Sequence, residues 1–332
     1  MLKTSVICVG EALVDQIVNK SNADFVNYLG GAPANVACAL KKLEVSTTFI
    51  GCLGDDEHGD QFIKLFNELS INTDFLQIDK EFPTRVVMVT RDEEGDRTFS
   101  GFRNSLNEFF ADERLDQLKL KKNMTNLKKL YLGADFIITG TILLASKKSE
   151  EALSFLIKYA ENFKIKVVID LNWRDIFWDN SKTLKNLERH QQIKLIKDFL
   201  NNADILKLAL EEAILFFGSN HPSTISKSLK KNPFVIITDG SNPIKWFING
   251  FEGETKVMQS SNIIDTTGAG DAFLAGLISK FCQYKVLDNE LLIQKCIQFA
   301  GLCGLLTCGQ AGAIEAQPNY EKVNESFNSF GL

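Results

Sequence analysis

Apolar residues along this chain follow two rhythms, and the rhythms alternate. Short runs such as SVICV (5–9), DFIITG (135–140), KVVIDLN (166–172), DILKL (204–208) and FVIITDG (234–240) are apolar almost throughout, as in strands buried on both faces. Between them lie stretches of helical period. PANVACALKKL carries apolar residues at 36, 37, 40 and 43, and GDQFIKLFNELS, SEEALSFLIKYAENF and KNLERHQQIKLIKDFL read the same way. STTFIGCLG (46–54) reads as one further strand. The alternation predicts an α/β fold with a mostly parallel sheet covered by helices on both faces. Ligands in such sheets bind beyond the carboxyl ends of the strands.

Two stretches break the rhythm. ADFVNYLG (23–30) and PTRVVMVTRDEEGDRTFSGF (83–102) read as strands without helices between them, the second as a hairpin about DEEGD. They predict a small separate sheet acting as a lid over the mouth of the main one; an edge extension with no part in chemistry is the alternative. With no repeat, low-complexity tract or Pro-rich linker, the expectation is one domain over 1–332, with lid strands inserted at 23–30 and 83–103. TRVVMVT shows apolar residues on both faces, Val86 and Met88 on one and Val87 and Val89 on the other. A lid needs one such face, so the other predicts a homodimer built through the lid sheets.

Charge narrows the partners. Lys and Arg total 37 against 42 Asp and Glu, a net charge of −5, which disfavours nucleic acid as the main partner. No apolar run approaches the roughly 20 residues that cross a bilayer, so no membrane partner is expected. The start, MLKTSVICVGEALVD, meets acids at Glu11 and Asp15 and reads as a first strand rather than a signal peptide. Seven scattered cysteines without a CxxC pair suit reduced thiols in a cytoplasmic protein. The three histidines are isolated in sequence, which disfavours a His-based zinc site.

Familiar phosphate-binding loops do not fit. GDDEHGDQ (54–61) has Asp60 and Gln61 where a P-loop needs Lys and Ser or Thr, and Asp55, Asp56 and Glu57 would repel a triphosphate. The first strand runs into GEALVD (10–15), without the glycines of a dinucleotide fingerprint. DTTGAGD (265–271) offers another solution. The small residues Gly268, Ala269 and Gly270 let backbone amides converge on an anion, and a helix starting near Ala269 adds its positive end. Asp271 in the first helical turn can then take a proton from an attacking hydroxyl. An acid there can also simply favour the helix dipole; the heptapeptide alone does not decide between these roles.

GGAPANVACAL (30–40) together with DTTGAGDAFLAGL (265–277) resembles the paired signatures of the ribokinase-like, PfkB-type carbohydrate kinases. GEALVD and DLNWRDIFW (170–178) resemble the fructokinase branch, and GGAPAN stands where ribokinases usually carry GGKGAN. The resemblance runs from about residue 5 to residue 318. It implies the three-layer ribokinase-like fold with a β lid, and ATP-dependent phosphorylation of a sugar primary hydroxyl, most simply D-fructose to fructose 6-phosphate. Relatives that act on ribose, nucleosides or keto-deoxy sugar acids supply the alternatives, and a catalytically silent regulatory relative is a further one.

The resemblance also implies roles. Asp271 is the base, and Gly268, Ala269 and Gly270 form the anion hole. Asp15, Gly31, Asn35, Phe102, Arg103 and Arg174 surround the sugar; Arg174 has an ion pair with Asp175 or Asp179 as its alternative. Lys207, Thr238, Gly240, Gly312 and Ala313 serve ATP. Glu212 organises Mg²⁺ through water, and Asp265 and Thr267 belong to a loop that holds K⁺ in many relatives. Two positions depart from the family pattern: Ala209 stands where Asn or Ser is usual, and Gly301 where Asn is frequent near the adenine.

Overall fold

In the strand Ser5–Val9 (β1), neighbouring residues feed different cores. Ile7 and Val9 join one cluster, Val6 and Cys8 another. The same split recurs at Ile137 and Ile138, Val167 and Val168, Leu206 and Ile205, and Ile237 and Ile236. This is the pleat of strands covered on both faces, and it explains why their sequences are apolar without alternation. The computed structural model describes residues 5–18, 25–91, 97–102, 109–179, 189–284 and 286–329.

The strands that follow are β2 (Leu13–Val18), β3 (Phe25–Gly30), β4 (Ser46–Ile50), β5 (Cys52–Gly54), β6 (Gln77–Asp79), β7 (Val86–Arg91) and β8 (Arg97–Phe102). Then come β9 (Ala134–Thr139), β10 (Lys166–Asp170), β11 (Ile205–Ala209), β12 (Phe234–Thr238), β13 (Ile244–Ile248) and β14 (Phe251–Thr255). Eight of them form the central sheet in the order β14-β13-β12-β11-β10-β9-β1-β4. Six are parallel, and β13 and β14 add an antiparallel edge. Chain order reverses around β1, which lies between β4 and β9. That reversal is where open α/β sheets leave a crevice.

A four-stranded sheet, β3-β2-β7-β8, accompanies the central one. Its strand β2 departs from expectation: GEALVD is not a plain loop after β1, because Leu13–Val18 pairs antiparallel with β3 and in parallel with β7. The turn DEEGD, residues 92–96, lies outside the described residues. STTFIGCLG also divides. Its first half joins the central sheet, and Cys52–Gly54 leaves it to pair with β6. Gly51 marks the break: a Cβ there would fall 2.6 Å from the Gly10 carbonyl oxygen. In the acidic loop that follows, Asp56 caps the helix Glu57–Glu68 by accepting from Gly59 N–H at 2.8 Å.

The helix Glu290–Thr307 runs against the expectation of no membrane-length segment, with 18 residues and a mean hydropathy of 1.2. It is a core helix. Its Ala300 and Cys303 press so closely on the helix Ala269–Gln283 that a Cβ on Gly276 would meet Cys303 Sγ at 2.8 Å. Gly304 lies equally close to the start of Ala269–Gln283, where a Cβ would fall 2.9 Å from the Ala269 carbonyl oxygen.

Candidate active site

The carboxyl ends of β10, β11 and β12, with the turn after β1, open into a cavity of about 690 Å³. Its wall includes Glu11, Asp15, Gly31, Asn35, Asp170, Arg174, Lys207, Glu212, Thr238 and Asp271. A second cavity of about 480 Å³ is more apolar, with Ile244, Val257, Met258, Phe273 and Leu305 among its lining residues. Thr238, Thr266 and Gly270 line both. A polar chamber and an apolar one therefore meet at the glycine turn, as a transfer between two bound molecules requires.

The turn is shaped by its sequence. Gly268 sits at φ +74°, and a Cβ on it would lie 2.9 Å from that of Ala313. Only glycine takes both the left-handed backbone and the contact without strain. Gly268 is the N-cap of the helix Ala269–Gln283, so the first amides of that helix face the junction of the cavities. Below the turn, Asp265 accepts from Thr267 N–H at 3.1 Å, from Thr267 Oγ1 at 2.6 Å and from Gly312 N–H at 3.1 Å. Gly312 and Ala313 thus lie against the back of the turn and line neither cavity. Gly240, at φ +53°, lines the apolar one.

Asp271 follows the turn and is held from across the molecule. Asn35 Nδ2 donates to Asp271 Oδ2 at 2.8 Å. Burial pushes the Asp271 carboxyl up to about 6; Asp170 adds to the rise, while Lys207, Asn35 and Arg174 oppose it. A carboxylate that ionises in that range is suited to receive a proton near neutral pH. Asn35 itself belongs to the first turn of the helix Ala32–Lys42, and its backbone oxygen accepts from Gln317 Nε2 at 2.9 Å. Its Oδ1 is buried without a partner among the described residues.

Glu11 is a residue that the motifs did not single out. It is buried, its Oε1 accepts from Ala32 N–H at 3.1 Å, and its Oε2 has no partner among the described residues. Burial pushes its carboxyl up to about 8. The turn of Gly31 rests on this segment: at φ +97°, a Cβ on Gly31 would lie 2.7 Å from the Glu11 carbonyl oxygen. Asp15 reaches the same chamber from β2, so the accessory sheet contributes to the wall. Asp170 and Asn172, from the DLNWRDIFW stretch, are further lining residues without a role assigned from the sequence. Unpartnered buried oxygens are costly in an apolar setting, and a ligand rich in hydroxyls satisfies them.

The remaining predicted residues fall at different depths. Arg174 lines the large cavity, with Nη1 donating to the Trp173 carbonyl oxygen at 2.9 Å. Asp175 accepts from Trp173 Nε1 at 2.7 Å and pairs with Arg189 at 3.3 Å. Phe102 does not reach the cavity. Its ring packs on Phe110 and Phe177 with the Arg85 guanidinium 5.0 Å from its centroid, and of these rings Phe177 forms part of the cavity wall. Arg103 and the side chain of Asp179 lie outside the described residues.

Glu212 is the expected metal-linked acid. Its Oε1 accepts from Trp173 N–H at 2.6 Å and its Oε2 from Ala209 N–H at 2.7 Å. Ala209 has no side-chain oxygen to cap the helix Leu210–Phe217, so one half of a capping box remains, Glu212 reaching back to the N-cap amide. Among the described residues no cluster of three or more His, Cys, Asp or Glu could hold a metal ion alone. The donor set fits Mg²⁺ only in the manner of nucleotide sites, in which water and phosphate oxygens supply most ligands and one fixed acid orients them.

Known proteins share this architecture. Probable fructokinase-5 of Arabidopsis thaliana is 30% identical over 323 residues, which cover 94% of each chain. The crystal structure of a fructokinase with bound ATP from Xylella fastidiosa superposes with a TM-score of 0.83 at 24% identity, covering 100% of both chains. That of a Vibrio cholerae O395 fructokinase in a fructose, ADP and calcium ion bound form gives a TM-score of 0.81 at 24% identity, over 98% of this chain and 99% of the other. The match of residues 3–319 to the pfkB family of carbohydrate kinases spans both cavities and the turn between them, and the chain belongs to that family.

Proposed function

We propose that this kinase transfers the γ-phosphoryl group of ATP to the primary hydroxyl of D-fructose, giving fructose 6-phosphate. The observation that carries the reading is Asp271, placed where the polar and apolar cavities meet and fixed there by Asn35. The sugar lies in the polar chamber, against Asp15, Gly31, Asn35 and Arg174. The adenine lies in the apolar one, with Thr238, Gly240 and Lys207 toward the phosphates. Asp271 accepts the hydroxyl proton as its oxygen bonds to the γ-phosphorus, and the bond to the ADP oxygen breaks. The amides of the Gly268–Gly270 turn face the oxygens on which charge accumulates. Mg²⁺, when bound with ATP, neutralises phosphate charge, and Glu212 is the residue that would orient its water. A monovalent cation such as K⁺ belongs, in the same proposal, to the loop carbonyls around Asp265 and Thr267. The seven free thiols suit a cytoplasmic setting.

The test is an acceptor panel with ATP and Mg²⁺: fructose, ribose, glucose, inosine and 2-keto-3-deoxygluconate. Fructose should lead in kcat/KM by tenfold or more. Each polar group of the chamber left unpaired by a wrong acceptor costs about 1–3 kcal/mol. A lead by the acidic sugar would trace to the Arg174 cation and would overturn fructose while sparing the kinase reading. As a control, Asp15→Ala should raise the fructose KM far more than the ATP KM. Equal losses would give Asp15 a structural role.

The homodimer belongs to the same proposal, with one change of surface. Val86 and Val87 are both buried within the chain, while Phe25 and Val26 on the edge strand β3 are each 51% exposed. That edge supports pairing through the accessory sheets. Sedimentation at micromolar concentration should give a dimer, and a monomer there removes the idea.

A further inference from the structure

Lys207 faces the glycine turn from the floor of the polar cavity. A Cβ built on Gly270 would lie 3.2 Å from Lys207 Nζ. Its partner is set by the sheet. Asp170 ends β10 and Lys207 lies within β11, and the two are paired in register in the parallel ladder. Paired residues on adjacent strands project to the same side, and Lys207 Nζ donates to Asp170 Oδ2 at 2.8 Å. Their side chains are 9% and 6% exposed, and both line the cavity. Taking two charges out of water is costly, and a buried pair is often no more stable than apolar residues of the same size. Stability alone therefore gives little reason for this one.

The neighbours of Lys207 supply a reason. Besides Asp170, it lies within the influence of Asp271, from the helix Ala269–Gln283, and of Glu212, from the helix Leu210–Phe217. Asp271 in turn feels Asp170, Lys207 and Arg174, and Glu11 feels Asp271. A lysine released in this acidic chamber would turn toward Asp271 and occupy the oxygen that must take the proton. Tethered to Asp170, its ammonium instead stands beside Gly270 of the turn, in the wall of the polar cavity.

We propose that Lys207 is a catalytic residue whose ammonium bears on the phosphoryl group as it crosses the junction, and that Asp170 is a positioning residue that holds Lys207 there and keeps it off Asp271. The inference rests on the phosphotransfer reading. It goes beyond that reading by assigning Asp170 the task of holding Lys207.

A double-mutant cycle on kcat tests it. Lys207→Met should lower kcat about 10²–10³-fold, the range for removing one electrostatic donor to a transition state, with the acceptor KM little changed. Asp170→Asn should lower kcat at least about tenfold in the native background and hardly at all in Lys207→Met, the signature of two residues acting as one. Equal losses in both backgrounds overturn the proposal, as does a Lys207→Met enzyme with normal kcat. A second readout serves if Lys207→Met does not fold. In Asp170→Asn, the acid limb of kcat against pH should move to lower pH, because a negative neighbour of Asp271 is gone and Lys207 leans on it. A limb that stays or rises overturns the proposal. A native protein that phosphorylates no acceptor removes the phosphotransfer reading itself, a different failure from equal losses in an active enzyme.

Discussion

Asp271→Asn is expected to lower turnover about 10²–10⁴-fold, the usual range for losing a general base, while the protein still folds and binds nucleotide. Asparagine keeps the shape of the side chain and its contact with Asn35, but it cannot take the hydroxyl proton. The native enzyme should show an acid limb in kcat near pH 6, because burial raises the Asp271 carboxyl to about 6. Below that value the base is protonated and idle; above it the base is ionised and turnover reaches a plateau. The variant should retain a small, nearly pH-independent rate across the same range. Circular dichroism and nucleotide titration check the fold, and initial rates check the chemistry. Near-native turnover in Asp271→Asn would remove this residue from the reaction.

Arg85→Met should cost about 3–5 kcal/mol of unfolding free energy, the range for stripping one partner from a buried ion pair. Arg85 is 4% exposed and bonds Asp112 through Nε at 2.9 Å and Nη2 at 3.0 Å, with Glu113 also 3.0 Å from Nη2. Its guanidinium lies 5.0, 4.4 and 5.1 Å from the ring centroids of Phe102, Phe110 and Phe177. Burial pulls the guanidinium toward neutrality, but Asp112 and Glu113 outweigh it and hold the charge. Methionine fills the space and leaves Asp112 buried beside no cation. Lysine should restore only part of the loss, since it lacks the planar fork. Urea unfolding measures the change. A loss within the ~1 kcal/mol of a surface pair would show that this cluster is solvated.

That cluster marks where the sequence stops being readable. The central strands announce themselves, because a strand covered on both faces has to be apolar at nearly every position. The turn 265–271 is readable for a similar reason, since its chemistry is local: consecutive small residues and then an acid at a helix start. Asp170 and Lys207 carry no such signal. They sit 37 positions apart and meet only because β10 and β11 fall side by side in register. The strand β2 is hidden for another reason. GEALVD looks like a loop until β3 and β7 supply its partners, so Asp15 appears to follow a strand when it stands inside one. Phe102 stands apart in another way. Its aromatic ring suits a lid over a sugar, but Arg85 draws it into the wall behind the cavity. In β14 Glu252, Gly253 and Glu254 dilute the apolar content too far to mark the strand out.

The bond between Asn35 and Asp271 joins residues 236 positions apart. A chain emerging from the ribosome is made from its N-terminus, so β1, the accessory strands and the helix bearing Asn35 are made long before Asp271 exists. Through most of synthesis the polar chamber lacks Asp271 and the glycine turn that borders it. Premature termination anywhere before the helix Ala269–Gln283 therefore leaves a chain without Asp271 and without the core helix that carries it.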